Sequence, residues 1–377
     1  MKVIFEPTFK IMSKKILTII GTRPNYIKVT QLQKAFDAYG NYFDHKILHT
    51  GQHFDKNMKQ IFIDQLGLTN IEFFLEVEHG TPGAQIGQII YKTDAVLKEW
   101  KPDLVIVVGD VNSTLAGAIA ANKSNIKLAH LEAGLRSFDR TMPEEYNRLA
   151  TDQLADILFV TEQSGIDHLL NEGRKKEEIH FVGNTMIDTL VAFDSQFDEY
   201  DVLEKLGVEK GKYILMTLHR PSNVDTLDSL SKLTALVNNI SKINSIVFPI
   251  HPRTTNNLKK FGLYEKLSEN EKIILTEPLD YFRFQKLVKH CKLVVTDSGG
   301  IQEETTYRQI PCLTLRENTE RPITVTLGTN ELIPFDNELI ESKIHAIENG
   351  TYKKGVIPPL WDGKSSVRIA EVLKRIL

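Results

Sequence analysis

Short apolar, β-branched runs alternate with stretches of helical periodicity along most of the chain. In the first half the runs are Ile16–Ile20, His45–His49, Leu104–Val108, Lys127–Leu131, Ile157–Val160 and Ile179–Val182. In the second they are Tyr213–Thr217, Ser245–Pro249, Lys272–Leu275, Leu293–Thr296 and Cys312–Leu315. Continuous apolar runs, unlike alternating ones, mark strands buried on both faces. Separated by helices, they predict an α/β fold with parallel sheets. Two such series predict two doubly wound domains.

The series pauses near Asp188–Leu206, where Asp194-Ser195-Gln196-Phe197-Asp198-Glu199-Tyr200-Asp201 turns polar and acidic. The domains are therefore expected at residues 13–190 and 191–364. Val367, Ile369, Ala370, Val372 and Leu373 give Ser365–Leu377 the spacing of a final helix. In residues 1–12, Glu6 and Pro7 interrupt any apolar stretch, so a signal peptide is not expected. The expectation is a disordered extension with Met12 as the natural start.

Nearly every run ends in a polar or glycine-rich cluster, and all these clusters fall at the carboxyl ends of their strands. In an open α/β sheet that is where ligands bind. Leu128-Ala129-His130-Leu131-Glu132-Ala133-Gly134 runs from a buried strand straight into a carboxylate and a turn. Pro143-Glu144-Glu145 opens the next helix, and Gly109-Asp110 ends another strand. Glu132, Glu144 and Asp110 are thus candidates for proton transfer. Each also has a plainer reading: Asp110 caps a helix, while Glu144 and Glu145 complement a helix dipole, with Arg148 paired to Glu144. Gly21-Thr22-Arg23-Pro24-Asn25-Tyr26-Ile27-Lys28 places Arg23 and Lys28 by a helix N-terminus, suited to an anion or to two solvated cations. In Asp297-Ser298-Gly299-Gly300, Ser298 can cap a helix, and the glycines allow close approach to the backbone. Glu303 and Glu304 follow, either favouring the dipole or accepting ribose hydroxyls. His219-Arg220 ends the first strand of the second domain, and Arg316 and Arg321 offer further cations for phosphates or a charged loop.

Composition narrows the picture. A net charge of −3 argues against a nucleic-acid surface, and the apolar runs are too short for membrane helices. The two cysteines, Cys291 and Cys312, lack metal or redox spacing and read as small core residues in a reducing cytoplasm. There is no structural zinc spacing, no G-x-S-x-G elbow and no G-x-G-x-x-G after the first strand, so neither a metal nor a dinucleotide cofactor is expected.

Taken together, GTRPNYIK, TGQHFD, GDVNST, HLEAGLRS, MPEEYNR, FVGNTMID, LHRPSN, DSGGIQEE and RENTERP resemble the non-hydrolysing UDP-N-acetylglucosamine 2-epimerases, from about Lys15 to the C-terminus. The resemblance implies a GT-B-type architecture: two Rossmann-like domains with an interdomain cleft and a last helix that returns to the first domain. It also implies a homodimer, no cofactor and a role in surface polysaccharide biosynthesis. The implied reaction eliminates UDP across the sugar C1–C2 bond and adds it back through a 2-acetamidoglucal. By motif, Asp110, Glu132 and Glu144 match the family's acid/base carboxylates, and His219 its histidine at the diphosphate. Arg23, Lys28 and Arg321 match cations, Ser298, Gly299 and Gly300 the phosphate turn, Glu304 the ribose contact and Phe284 an aromatic at the uracil. Phe54-Asp55 replaces the polar residues that substrate-activated members carry after Q-H. Phe138-Asp139-Arg140-Thr141-Met142 is similar to the branch acting on UDP-2,3-diacetamido-2,3-dideoxyglucuronate. A GT-B glycosyltransferase, which would share the sheets and the S-G-G turn, is the reading from a different class.

Overall fold

The computed structural model describes residues 13–52, 65–78 and 80–377. The expected extension at 1–12 and the Phe54-Asp55 substitution lie outside the described residues.

Thirteen strands among the described residues form two parallel sheets. The first contains β1 (Lys14–Ile20), β2 (Phe43–His49), β3 (Ile71–Phe74), β4 (Leu104–Val108), β5 (Lys127–Ala133), β6 (Ile157–Val160) and β7 (Ile179–Phe181), in the order β3-β2-β1-β4-β5-β6-β7. The second contains β8 (Tyr213–Thr217), β9 (Ser245–Pro249), β10 (Ile273–Thr276), β11 (Leu293–Thr296), β12 (Cys312–Leu315) and β13 (Asn330–Ile333), in the order β10-β9-β8-β11-β12-β13. Both are doubly wound sheets of the Rossmann type, and together they give the expected GT-B-type architecture. In each, the winding direction reverses beside the first strand, between β1 and β4 and between β8 and β11. Those two switch points open crevices at the carboxyl ends of the strands.

The helices that matter for the site are α1 (Arg23–Asp37), α2 (Asn112–Lys123), α3 (Pro143–Leu154), α4 (Thr185–Ala192), α5 (Tyr281–His290), α6 (Gly299–Arg308) and α7 (Ser365–Ile376). Helix α7 packs against α1 and α4, so the chain ends on the first domain. Asp188 of α4 holds its start by accepting the Ser365 and Ser366 amides at 3.0 and 2.5 Å. The fully buried Trp361 donates its indole N–H to Thr161 O at 3.1 Å.

The acidic stretch between the sheets is helical and docked. Phe197 is fully buried and meets Tyr281 and Phe282 edge-on. Asp194 pairs with Lys289 and Arg308 at 2.8 and 2.9 Å, and Asp198 with Lys289 at 2.7 Å. These carboxylates, half-exposed, are paired with second-domain cations. Both cysteines are buried, as expected, and burial pushes the Cys312 thiol up to about 11.

Candidate active site

The first-domain wall grows from two neighbouring strand ends. After β1, Asn25 Oδ1 accepts the Gly21 and Thr22 amides, each at 3.1 Å. The same carboxamide donates to Val108 O at 3.3 Å, stitching the turn after β1 to the end of β4 across the switch point. One helical turn on, the buried Lys28 reaches Glu132 at the end of β5, with Nζ–Oε2 2.5 Å. This ion pair passes over Gly109, where φ is +69° and a Cβ would lie 3.3 Å from Lys28 Nζ and 3.7 Å from Glu132 Oε2. Glycine is required there twice over, for conformation and for space.

Glu132 itself has φ +73°, an uncommon conformation for a side-chain-bearing residue. The register between β5 and β6 shifts at this point, between Leu131 and Ala133. The irregularity leaves Glu132 unpaired before the ladder resumes at Ala133 with Val160, and such bulges often re-aim a side chain beside a site. Its Oε1 is buried without a hydrogen-bond partner among the described residues.

Asp110 does not cap the next helix: the N-cap of α2 is Val111. Asp110 instead pairs with Arg148, which also holds Glu145 at 2.7 Å. Arg148 therefore serves Glu145 and Asp110, where the spacing pointed to Glu144. Glu145 accepts the Ser137 and Phe138 amides at 3.0 and 2.9 Å. Burial opposes its charge, but these amides and Arg148 hold its carboxyl below the usual range. Glu144, half-buried on the first turn of α3, has no hydrogen bond or ion pair among the described residues.

The second-domain wall forms where β8 and β11 end. Asp297, fully buried, accepts the Arg220 amide and Asn223 Nδ2 at 2.8 and 3.1 Å, and pairs with His219 Nδ1 at 2.9 Å. Burial would raise its carboxyl, yet His219 and these donors hold it below the usual range. The half-exposed imidazole is thereby oriented by its Nδ1. Burial, then the neighbouring His219 and Arg253, hold the His251 imidazole below its usual range, and the half-buried Arg23 adds to the effect.

Ser298 precedes α6 without capping it through its side chain, so the hydroxyl and the first amides of α6 are not used up by a cap. A Cβ on Gly299 would lie 2.8 Å from Glu320 Oε1 and 3.0 Å from Arg321 Nη1; one on Gly300 would lie 3.2 Å from Met186 Cε. These glycines admit the neighbouring loop and α4 as well as any ligand. Glu303 and Glu304 fall beyond the first turn of α6, so the dipole does not account for them. Burial raises Glu304 to about 7, with the neighbouring Gln285 and Arg308 opposing it. Gln285 adjoins Phe284 on α5, a half-buried ring packed against the second-domain core.

Arg321 joins the walls. Its guanidinium pairs with Glu303 at 2.9 Å and with Glu320, and its Nη2 lies 3.8 Å from Glu132 Oε2. Arg316 is likewise engaged, with Glu320 at 2.9 Å. Both arginines are buried among carboxylates. Burial opposes the charge on Glu320, but Arg321 and Arg316 hold it well below the usual range, whereas burial raises Glu303. Contacts thus run from Glu132 through Arg321 to Gly299, which follows Asp297 and Ser298 in the chain, and from Asp297 to His219. Sequence reasoning gave no role to Glu320 or to Asp297, which it named only within the turn motif, offered Arg148 only as a partner of Glu144, and read Glu303 only as a dipole or ribose group. Their common signal was a charged residue within a few positions of a candidate.

Glu162, after β6, bridges the same domains by accepting the Ile323 amide at 3.4 Å, and burial raises its carboxyl to about 7. The native state then holds a proton that the unfolded chain releases near the ordinary glutamate value of about 4.3. Stability from this group is greatest below that value and falls until pH passes 7. Glu162→Gln is expected to flatten this slope, making the variant more stable than wild type at pH 8 by about 3 kcal/mol. Urea unfolding at pH 5 and 8 measures it, and parallel slopes for both proteins would contradict it.

The geometry finds counterparts in known proteins. The family described as UDP-N-acetylglucosamine 2-epimerase matches residues 36–374. A UDP-N-acetylglucosamine 2-epimerase of Methanocaldococcus jannaschii is 40% identical over 364 residues, 95% of this chain and 98% of its own. A UDP-2,3-diacetamido-2,3-dideoxy-D-glucuronate 2-epimerase of Pseudomonas aeruginosa is 38% identical over 367 residues, 96% of this chain and 100% of its own. Among solved structures, the M. jannaschii UDP-GlcNAc 2-epimerase in complex with UDP-GlcNAc and UDP has a TM-score of 0.87 and 40% identity, covering 96% of this chain and 99% of that one. With these likenesses spanning nearly the whole length, this chain belongs to the UDP-N-acetylglucosamine 2-epimerase family.

Proposed function

We propose that this chain is an isomerase that interconverts UDP-N-acetylglucosamine and UDP-N-acetylmannosamine. One carboxylate of the set Asp110, Glu132 and Glu144 takes the C-2 proton. The C–H electron pair forms the C1–C2 double bond, and the C1–O bond to the diphosphate breaks, leaving 2-acetamidoglucal and UDP. UDP then re-adds at C-1 as a proton is delivered to the opposite face of C-2. No hydride moves, so the scheme calls for no redox cofactor. Both walls handle the leaving group: His219, oriented by Asp297, with Arg321 and the turn Ser298-Gly299-Gly300 from the second, and Arg23 and Lys28 from the first, at the diphosphate. Phosphate oxygens suit the amides at the start of α6. Glu304 serves the ribose and Phe284 the uracil.

The observation that carries this reading is the contact chain from Glu132 through Arg321 to the turn at Ser298, joining acid/base carboxylates to a phosphate-type turn in one cleft. Incubation with UDP-N-acetylglucosamine in heavy water tests it. Deuterium at C-2 together with the manno epimer is expected, and transfer that needs an acceptor would point to a glycosyltransferase. A second reading, the same chemistry on UDP-2,3-diacetamido-2,3-dideoxyglucuronate, is favoured by the 38% identity to the Pseudomonas enzyme. It is supported if exchange occurs with that sugar alone. We further propose a cytoplasmic homodimer serving surface polysaccharide synthesis. Among the described residues no helix is long and apolar enough to cross a membrane.

A further inference from the structure

Beneath the first-domain wall lies a buried network that touches none of the three carboxylates. His130, two residues before Glu132 on β5, is fully buried. Its Nδ1 lies 2.6 Å from Asp152 Oδ1 and its Nε2 2.7 Å from Gly109 O. Both neighbours accept, so both ring nitrogens are called on to donate. Gly109 is the residue before Asp110, and its own amide donates to Leu131 O at 2.9 Å, just before Glu132. Gly109, the residue leading to Asp110, is therefore gripped at both its N–H and its C=O by the strand that carries Glu132.

Asp152 completes the frame. Its Oδ2 accepts the Gly134 amide at 3.1 Å and pairs with Arg136 Nη1 at 2.7 Å. Gly134 lies two residues beyond Glu132, so the unusual backbone of Glu132 is held on one side by His130 and on the other by Gly134. Gly109, Glu132 and Gly134 all have positive φ, at +69°, +73° and +78°. Such conformations persist where the surroundings over-determine them. Asp152 also belongs to α3, the helix that begins with Glu144 and carries Arg148, the partner of Asp110.

We infer that His130 and Asp152 are positioning residues that fix the relative placement of Asp110, Glu132 and Glu144. The three carboxylates come from three chain segments, and this pair ties the three backbones together. The inference rests on the proposed epimerase chemistry. A misplacement of about 1 Å can cost roughly a hundredfold in rate without touching the reacting atoms. UDP, held on the proposal by second-domain groups and by Arg23 and Lys28 of α1, none of which hydrogen-bonds or pairs with His130 or Asp152 among the described residues, should hardly notice.

The test compares wild type with His130→Gln, Asp152→Asn and the double variant. Three readouts are taken: C-2 deuterium exchange with UDP-N-acetylglucosamine, UDP affinity by calorimetry, and the thermal midpoint. Each single variant is expected to lose about a hundredfold in kcat for exchange, with UDP affinity within about threefold of wild type. The double variant should be little worse than either single one, because the pair acts as a unit. Folded variants with wild-type kcat overturn the inference. Equal losses of kcat and UDP affinity also overturn it, since they would give the pair a role in holding the fold alone. If a variant fails to fold, Asp152→Glu, which keeps charge and acceptors but shifts them by a methylene, supplies the comparison, and unchanged kcat there counts against the inference. Wild type that exchanges neither UDP-N-acetylglucosamine nor the diacetamido uronate overturns the functional reading itself, and this inference with it. Active wild type beside unaffected variants removes this inference alone.

Discussion

Glu132→Gln is expected to bind UDP normally and to lose C-2 exchange by about 10²–10⁴-fold, the usual contribution of a general acid or base. Glu132 stands at the end of β5, 2% exposed, where a low-dielectric setting strengthens each charge interaction. Its Oε2 is committed to Lys28 at 2.5 Å, with Arg321 at 3.8 Å, while Oε1 is buried without a partner among the described residues. On the proposed chemistry, the unpartnered oxygen is the one that would take the C-2 proton. Glutamine keeps an acceptor for Lys28 but cannot take that proton, so rate should fall far more than affinity. The change also removes the counter-charge of a buried lysine, so stability should fall by up to about 3 kcal/mol. Exchange in heavy water, UDP calorimetry and thermal unfolding of the same preparation separate these effects. Retained exchange would remove Glu132 from the acid/base set.

Most of the strands that sequence reasoning found are fully buried, such as Leu104–Val108, and the half-buried edge strands Ile179–Phe181 and Ile273–Thr276 were found as well, through their apolar residues. The two it missed are sheet edges. Ile71–Phe74 alternates half-buried and exposed residues around Glu72, and Asn330–Ile333 places Asn330 and Glu331 inside the element. An edge strand tolerates polar residues inside the element, and these two carry them where the edge strands β7 and β10 keep a mostly apolar run, so their pattern is weak. The candidate site was legible at the strand ends because topology sends every such end to one side of its sheet. Asp110, Glu132, His219 and Ser298 all needed only that rule to be singled out. Their partners were not legible. Arg148 could be paired with Glu144 by spacing, and only the fold shows that it turns to Glu145 and Asp110. Asn184 and Glu303, 119 residues apart, meet at 2.8 Å because the domains face each other. Local pattern carries no information about that closure.

Arg321→Met is expected to destabilise the protein by about 3–5 kcal/mol, the usual result of removing one partner from a buried ion pair. For a domain of this size that corresponds to a thermal midpoint lower by roughly 10 °C. Arg321, 6% exposed, faces three carboxylates from two domains. Glu320 would keep Arg316 at 2.9 Å and Glu132 would keep Lys28. Glu303 would keep no cation partner, only the Asn184 carboxamide. Burial already raises its carboxyl, with Glu132 adding to the effect and Arg321 opposing it. Without Arg321 it should hold its proton to higher pH. A native carboxyl raised above its unfolded value contributes stability at low pH that is lost as pH rises. The defect should therefore be smallest at about pH 5 and grow toward neutrality. Glu303→Gln placed on top of Arg321→Met removes the stranded charge and should restore part of the loss, a coupling that a double-mutant cycle measures directly. If the two changes simply add, the pairing of Arg321 with Glu303 contributes nothing to holding the domains together. In that case the destabilisation would have to arise from Glu320 or Glu132, and the pH dependence of the single variant would vanish with it.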